Sequence, residues 1–311
     1  MGWIKKARIF EPDRNLTWSR SHAQVPTALL LKNGLIRIFY SGRDQNNKSH
    51  ISYLDVEGAN PSKLVYLHKS PVLTLGNAGT FDDSGMMPSS VVDLGNGVVY
   101  LYYTGWNVGF TTPYKNAIGL MISIDHGMTF RKVGQGPVLT DNLHEPYFIG
   151  TAFVLRCGKV WKCWYSSCTG WHHSGRSMEP SYHIKYCESD DGIDWRRTGE
   201  IALDYKSSDE GGIVKAAVLN SSLYEMWFAY RGRADYRTNI KNSYRIGYAH
   251  SPDGRKWVRN DEQYGLGVSK DGWDSEMVAY PSIVCVEGAR YMFYNGNGFG
   301  KTGFGYCEWS E

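Results

Sequence analysis

Carboxylates recur in this chain at one kind of position, just ahead of a short apolar segment: Phe81-Asp82-Asp83-Ser84-Gly85, His144-Glu145-Pro146-Tyr147, Asp209-Glu210-Gly211-Gly212 and Trp273-Asp274-Ser275-Glu276. A fifth stretch, Arg20-Ser21-His22-Ala23-Gln24, offers an imidazole and an amide instead. A second set follows further along each time: Arg43-Asp44, Trp106-Asn107, Trp171-His172-His173, Arg231-Gly232-Arg233-Ala234-Asp235-Tyr236 and Asn297-Gly298-Phe299-Gly300-Lys301. Gathered on one rim, these residue types suit a sugar. Aromatic faces stack on its C–H surfaces, and charged forks bind hydroxyls or an acidic group. A pair of carboxyl groups can protonate and displace at the anomeric carbon.

The elements that would gather them are written in a repeat. Phe39-Tyr40-Ser41-Gly42, Tyr102-Tyr103-Thr104-Gly105, Trp164-Tyr165-Ser166-Ser167, Ala229-Tyr230-Arg231-Gly232 and Phe293-Tyr294-Asn295-Gly296 place their tyrosines 63, 62, 65 and 64 residues apart. Such units, rich in aromatic and β-branched residues and punctuated by glycine, predict an all-β chain: a five-bladed β-propeller of four-stranded blades, one domain over residues 1–311. In the second unit the strands are expected at 88–92, 98–103, 117–123 and 130–133. Tight turns on aspartate and glycine follow, at Ser123-Ile124-Asp125-His126-Gly127, Ser189-Asp190-Asp191-Gly192 and Ser251-Pro252-Asp253-Gly254; Asp accepts from the turn backbone and Gly supplies a positive φ. The last unit stops at Glu311 without an outer strand after its turn. Residues 3–10, opening Trp3-Ile4-Lys5-Lys6, are expected to supply it and close the ring.

Antiparallel order puts the segments before each inner strand and those after each Tyr phrase on one face, and the Asp-Gly turns on the other. The expected roles are Glu145 as acid and Asp83 or Glu210 as base. His22, Gln24, Arg43, Asp82, Trp106, Trp171, Arg231, Arg233, Glu276 and Lys301 are expected to hold substrate. A structural reading stands beside some of these: Phe81-Asp82 and Trp273-Asp274 match as a pair of turn devices, and Arg43, Arg231 and Arg233 can simply pair with rim carboxylates, whereas Glu145 and Glu210 lack such a parallel. His172-His173 reads as a solvated loop rather than a metal pair, since adjacent residues on a strand point oppositely.

Composition narrows the classes. A formal net charge of +3 with scattered basic residues does not suit nucleic acid. Met1-Gly2-Trp3-Ile4-Lys5-Lys6 lacks an apolar signal core and no run reaches membrane-spanning length, so a cytoplasmic location is expected. Of six cysteines, Cys163, Cys187, Cys285 and Cys307 lie in strand patterns and are expected as reduced core thiols. No second cluster gives Cys157, Cys163 and Cys168 a zinc spacing, and no phosphate or dinucleotide loop is present, so neither metal nor cofactor is expected.

The five units, the Pro-led inner strands (Pro26, Pro88, Pro281), the aromatic-Tyr-x-Gly strand and the Ser-x-Asp-Gly-x-x-Trp turn together resemble the five-bladed propeller glycosidases. These are the family 43 arabinanases and xylosidases, the invertase and levansucrase group, and the family 130 mannoside phosphorylases. The turn at Ser123-x-Asp125-x-Gly127-x-Thr129-Phe130 also resembles the Asp box of the six-bladed sialidases. The chain further resembles propellers associated with surface-polysaccharide assembly. The family 43 catalytic positions do not carry over: Val25 precedes Pro26, Ser89 follows Pro88, and Ile149-Gly150-Thr151 stands at the third inner strand. The resemblance implies a protein acting on a sugar, oligosaccharide or glycoconjugate, cleaving or transferring a glycosidic bond. An inverting scheme would separate acid and base by about 6.5–9.5 Å. Two alternatives stand beside it. One is a phosphorylase with Arg231, Arg233 and Lys301 as anion clamp; the other is a non-catalytic sugar-binding or scaffold propeller.

Overall fold

Runs of β-branched and aromatic residues form strands here, and the glycine and aspartate between them form turns. The structure, a computed structural model, describes residues 1–175 and 177–310. Helix in these residues is confined to short turns at Ile240–Asn242, Asp261–Tyr264 and Asn297–Gly300. After β1 (Gly2–Phe10) comes an antiparallel meander of β2 (Ser21–Leu30), β3 (Leu35–Arg43), β4 (Ser49–Glu57) and β5 (Leu64–Leu67). The next is β6 (Gly85–Gly95), β7 (Val98–Val108), β8 (Tyr114–Ser123) and β9 (Arg131–Lys132). Then come β10 (Ile149–Cys157), β11 (Val160–Ser174), β12 (Ser177–Ser189) and β13 (Trp195–Leu203), followed by β14 (Glu210–Asn220), β15 (Tyr224–Gly232), β16 (Arg245–Ser251) and β17 (Val258–Arg259). Finally β18 (Ala279–Val286), β19 (Ala289–Asn295) and β20 (Phe304–Ser310) run antiparallel, and β1 pairs with β20 from Gly2↔Ser310 to Phe10↔Phe304.

The middle hairpins are longer than the sequence predicts. In the second unit the ladder continues past Gly105 through Trp106↔Asn116 to Val108↔Tyr114. In the third it runs past Trp171↔Pro180, His172↔Glu179 and His173↔Met178. The expected loop at His172-His173 is therefore strand: the polar residues leave the blade core but keep their backbone hydrogen bonds, as a hairpin projecting beyond the sheet must.

Aromatic plugs join neighbouring units. Phe130 packs on Phe39 at 5.6 Å, Trp195 on Tyr102 at 6.2 Å and Trp257 on Trp164 at 6.1 Å, each ring following an Asp-Gly turn and reaching the preceding unit. Trp3 of β1 reaches Trp227 in the same way at 5.5 Å. The turns are bolted from both sides. Asp253 accepts from the Arg255 and Lys256 amides at 2.8 and 3.0 Å, which draws its carboxyl down to about 2. The Gly254 carbonyl accepts from the Trp164 indole at 2.8 Å, and the Gly192 carbonyl from the Tyr102 hydroxyl at 2.7 Å. The φ of +77° at Gly254 is the left-handed conformation these turns require.

All six cysteines are free thiols; Cys163, Cys168, Cys187 and Cys307 are buried, whereas Cys285, expected in the core, is exposed on β18. Its place in the pleat explains this: Val284 and Val286 on either side turn inward, so Cys285 turns out. Among the described residues no helix is long and apolar enough to cross a membrane, and no cluster of three His, Cys, Asp or Glu side chains is arranged to hold a metal ion.

Candidate functional site

The carboxylates ahead of the inner strands are fastened inside the units. Asp82, fully buried, accepts from the Tyr103 hydroxyl at 2.9 Å and from Lys132 Nζ at 2.5 Å. Glu145, 2% exposed, accepts from Ser167 Oγ at 2.9 Å and from the Tyr165 hydroxyl, Arg197 and Lys185 at 3.1 Å each. Glu210 holds Arg259 through two bonds of 2.7 Å. Asp274 accepts from Tyr294 at 2.9 Å and from Lys5 at 2.6 Å. The pattern is shared: Lys132, Arg197, Arg259 and Lys5 all stand on the outer strand of their unit, β9, β13, β17 and β1. In three of the four units the tyrosine of the repeated phrase donates as well. Asp83 does something simpler, accepting from the Gly79 amide at 2.9 Å and Ser84 Oγ at 2.8 Å within its own loop.

A different set of residues lines a cavity of about 350 Å³ where the inner strands begin, at the opposite strand ends from the Asp-Gly turns. Its walls come from His22, Gln24 and Arg43 of the first unit, and Thr104, Trp106, Tyr114 and Asn116 of the second. Phe148 and Tyr182 come from the third, Tyr236 and Arg237 from the fourth, and Tyr280 and Phe299 from the fifth. Val25, Met87, Gly150, Thr151, Ser166 and Val214 complete it. Trp106 stands where it does because Gly85 faces it across the ladder; a Cβ there would lie 2.2 Å from the indole nitrogen.

The inner strands bend sharply at this end. Val25, Lys215 and Tyr280 occupy matching positions with φ of 55°, 55° and 58°, a conformation costly for any residue with a Cβ and most of all for a β-branched one. Buried bonds hold it: the Val25 amide donates to Asn295 Oδ1 at 2.7 Å, and the Lys215 amide to Thr151 Oγ1 at 2.8 Å. Beneath Thr151 and Val214 the Lys215 side chain is fully enclosed, its ammonium donating to the Ser89 carbonyl at 2.7 Å, and burial pulls its pKa down to about 7.

Electrostatically the cavity is cationic, and among the described residues no Asp or Glu lines it. Arg43 donates through Nε to Gln24 Oε1 at 2.9 Å. Arg237 is held by Glu179, with Nε to Oε1 at 2.8 Å, and Glu179 also accepts from the Tyr236 hydroxyl. Burial alone would raise the Glu179 carboxyl, but these bonds bring it below the usual carboxylate range. Arg231 lies behind the wall, 3.7 Å above the Tyr236 ring and 4.9 Å from that of Tyr182. Burial, then Arg43 and Lys301, push His22 down to about 4, so its imidazole is neutral near pH 7.

Of the residues expected at the site, the structure brings His22, Gln24, Arg43 and Trp106 together in the cavity. Trp171 backs it at one remove, packing on Tyr114 at 5.3 Å and Phe148 at 5.6 Å. Arg231 is buried behind it, Arg233, Glu276 and Lys301 are exposed outside it, and Asp82, Asp83, Glu145 and Glu210 do not line it. Sequence reasoning missed Tyr114, Asn116, Tyr182, Arg237 and Tyr280. Tyr280 had a signal, as an aromatic just before the proline of an inner strand; Tyr114 and Tyr182 lie on hairpin legs whose length the sequence did not reveal.

The fold is that of glycoside-hydrolase-type propellers. A glycosyl hydrolase from Bacteroides ovatus superposes with a TM-score of 0.72 at 14% identity, over 99% of this chain and 94% of its own. A structure from the GH130 family of mannoside phosphorylases gives 0.72 at 13% identity, over 99% and 94%. The Bombyx mori GH32 β-fructofuranosidase gives 0.62 at 14%, over 97% of this chain and 61% of its own. Identities this low establish shared fold alone. No family model matches the chain. Two Mycobacterium tuberculosis proteins, Uncharacterized protein MT1551 and Uncharacterized protein Rv1502, are each 36% identical to it over 307 residues, 98% of either chain. With that identity along nearly its whole length, the chain belongs to the same family as these two mycobacterial proteins.

Proposed function

We propose that this protein is a five-bladed propeller, closed by β1 on the outer edge of the last blade, that binds a carbohydrate in the cavity at the mouth of its axis. The observation that carries the reading is the lining itself. Aromatic faces from Trp106, Tyr114, Phe148, Tyr182, Tyr236, Tyr280 and Phe299 alternate with the amides of Gln24 and Asn116 and the hydroxyl of Thr104. Asn116 Oδ1 is buried there without a partner, a cost that a ligand hydroxyl would relieve. Flat apolar faces and short polar groups are what a pyranose ring, with its C–H faces and equatorial hydroxyls, requires. Support for a sugar also comes from the fold shared with glycoside hydrolases. In this reading Asp82, Glu145, Glu210 and Asp274 are latches between loop, second strand and outer strand, and take no part in proton transfer. Calorimetric titration with mono- and oligosaccharides is the test. Trp106→Ala should weaken binding about 10-fold or more, as expected for losing a stacked aromatic, while Asp83→Asn leaves it unchanged. Absence of binding to any saccharide, or dependence on Asp83 instead of Trp106, would overturn the assignment.

One contact favours a second reading, glycosyl cleavage or transfer. The Tyr236 hydroxyl, on the cavity wall, donates to the buried Glu179 carboxylate. That carboxylate can take the phenol proton as the oxygen attacks an anomeric carbon and the C1–O bond to the aryl group breaks, releasing aryloxide; water or an acceptor hydroxyl then displaces the tyrosine oxygen, which recovers a proton. Aryl glycosides, whose leaving groups need no acid, are the substrates to use. Turnover abolished by Tyr236→Phe is the expected result under this reading, and turnover that survives the change removes it.

A further inference from the structure

Guanidinium groups surround this cavity in excess of what the protein neutralises. Arg43 uses only Nε, on the neutral Gln24, and no carboxylate lies within ion-pair distance of it among the described residues. Arg237 spends Nε and Nη2 on Glu179 and keeps Nη1 uncommitted. Arg231, 1% exposed, answers only to the carbonyls of Pro180 and Gly232 and to two tyrosine faces, with Nε unpartnered. Three guanidiniums thus face one carboxylate, Glu179. Arg237 is paired and its side chain is 46% exposed, but leaving the buried Arg231 and the partly buried Arg43 without an opposite charge is expensive, and the cost is recovered when an anion enters with hydrogen bonds in place. Burial, and to a smaller extent Arg237 across the cavity, disfavour the charged form of Arg43.

Resting on the sugar-binding reading above, we propose that the sugar bound here is an anionic one, its carboxylate or phosphate gripped by Arg43 and Arg237 while its ring lies on the aromatic walls. Planar guanidinium forks match both oxyanions, which a lone ammonium does not. A bare inorganic ion would leave most of the roughly 350 Å³ and its aromatic faces without use, because the volume is that of a small-molecule site.

The experiment is calorimetry on matched pairs: glucuronate and glucose, galacturonate and galactose, mannose 6-phosphate and mannose, with inorganic phosphate alone as a further arm. The anionic member should bind about 10- to 100-fold more tightly than its neutral parent, the range for added charge-assisted hydrogen bonds. Arg43→Gln and Arg237→Gln should each shrink that ratio, and Arg43→Lys, which keeps the charge and the fold but loses the fork, should retain part of it. Preference for the uronates or for the hexose phosphate identifies the source of the anion. Equal or tighter binding of the neutral sugars would overturn the charge assignment and leave the sugar site standing. Binding by no member would overturn both. Inorganic phosphate binding as tightly as mannose 6-phosphate would reduce the site to an ion site and overturn the proposal.

Discussion

The first unit and the other four solve the same corner in different ways. In the later units, the chain entering the inner strand carries a carboxylate that pins it to the outer strand, through Lys132, Arg197, Arg259 or Lys5. In the first unit that carboxylate is missing, and Tyr40, the counterpart of Tyr103, Tyr165 and Tyr294, has a buried hydroxyl with no partner. Its ring packs instead on Phe10 at 4.9 Å, Phe304 at 5.8 Å and Trp18 at 6.1 Å. Trp18 thus stands where Asp82 stands in the second unit, against the tyrosine, and further along the same segment and on the neighbouring strand His22, Gln24 and Arg43 line the cavity. Side chains at this end of a unit either tie the unit together or line the cavity. Asp82, Glu145 and Asp274, each tied by a lysine or arginine of the outer strand and by the tyrosine of the phrase, are committed to the first task, because their acceptor sites are already filled.

The largest effect should follow from breaking a latch. Glu145→Ala strands Arg197 and Lys185, both largely buried, and removes the acceptor of Tyr165 and Ser167. Losing one partner of a buried ion pair costs about 3–5 kcal/mol, so the urea midpoint should fall sharply. A change in the first unit at a residue that lines the cavity, His22→Ala, touches a neutral, half-buried ring with one hydrogen-bond contact, to Ser21 Oγ, and should cost less than about 1 kcal/mol. Comparable losses at the two positions would show that the first unit depends on its pre-strand segment as much as the others do, and the contrast between latch and ligand wall would fail.

Much of this was legible in the sequence because it rests on local rules. The spacing of the five tyrosines gave the units, and the Asp-Gly turns appeared with the bonds and positive φ their residue types demand. Pairing of 3–10 with the last strand followed from counting strands. The face of the cavity also followed, since antiparallel order alone fixes which loops share an end. The roles of the carboxylates did not. Glu145 before a proline looks the same in sequence whether its oxygens meet a ligand or Arg197, a residue 52 positions away. The cations that complete each latch lie on outer strands that read only as exposed basic residues. Arg237 was hidden for a related reason: it reads as one more basic residue of a polar loop, and its partner Glu179 lies 58 positions away.

A finer test compares hydroxyls that differ only in having a partner. Tyr103→Phe removes a donor from fully buried Asp82 and leaves Lys132 and Thr80 to satisfy it alone. Because the acceptor is charged and enclosed, the loss should be about 1.5–3 kcal/mol. Tyr294→Phe should behave alike at Asp274. Tyr40→Phe deletes an oxygen that is buried and makes no hydrogen bond, so the desolvation cost it imposes on the native state disappears with it. Stability should then stay level or rise by up to about 1 kcal/mol, with the packing on Phe10 and Phe304 unchanged. Equilibrium unfolding of the three variants side by side measures the contrast directly. A loss at Tyr40 as large as that at Tyr103 would mean that the first corner contains an acceptor as good as Asp82, and the distinction between the units would be one of partner, not of latch.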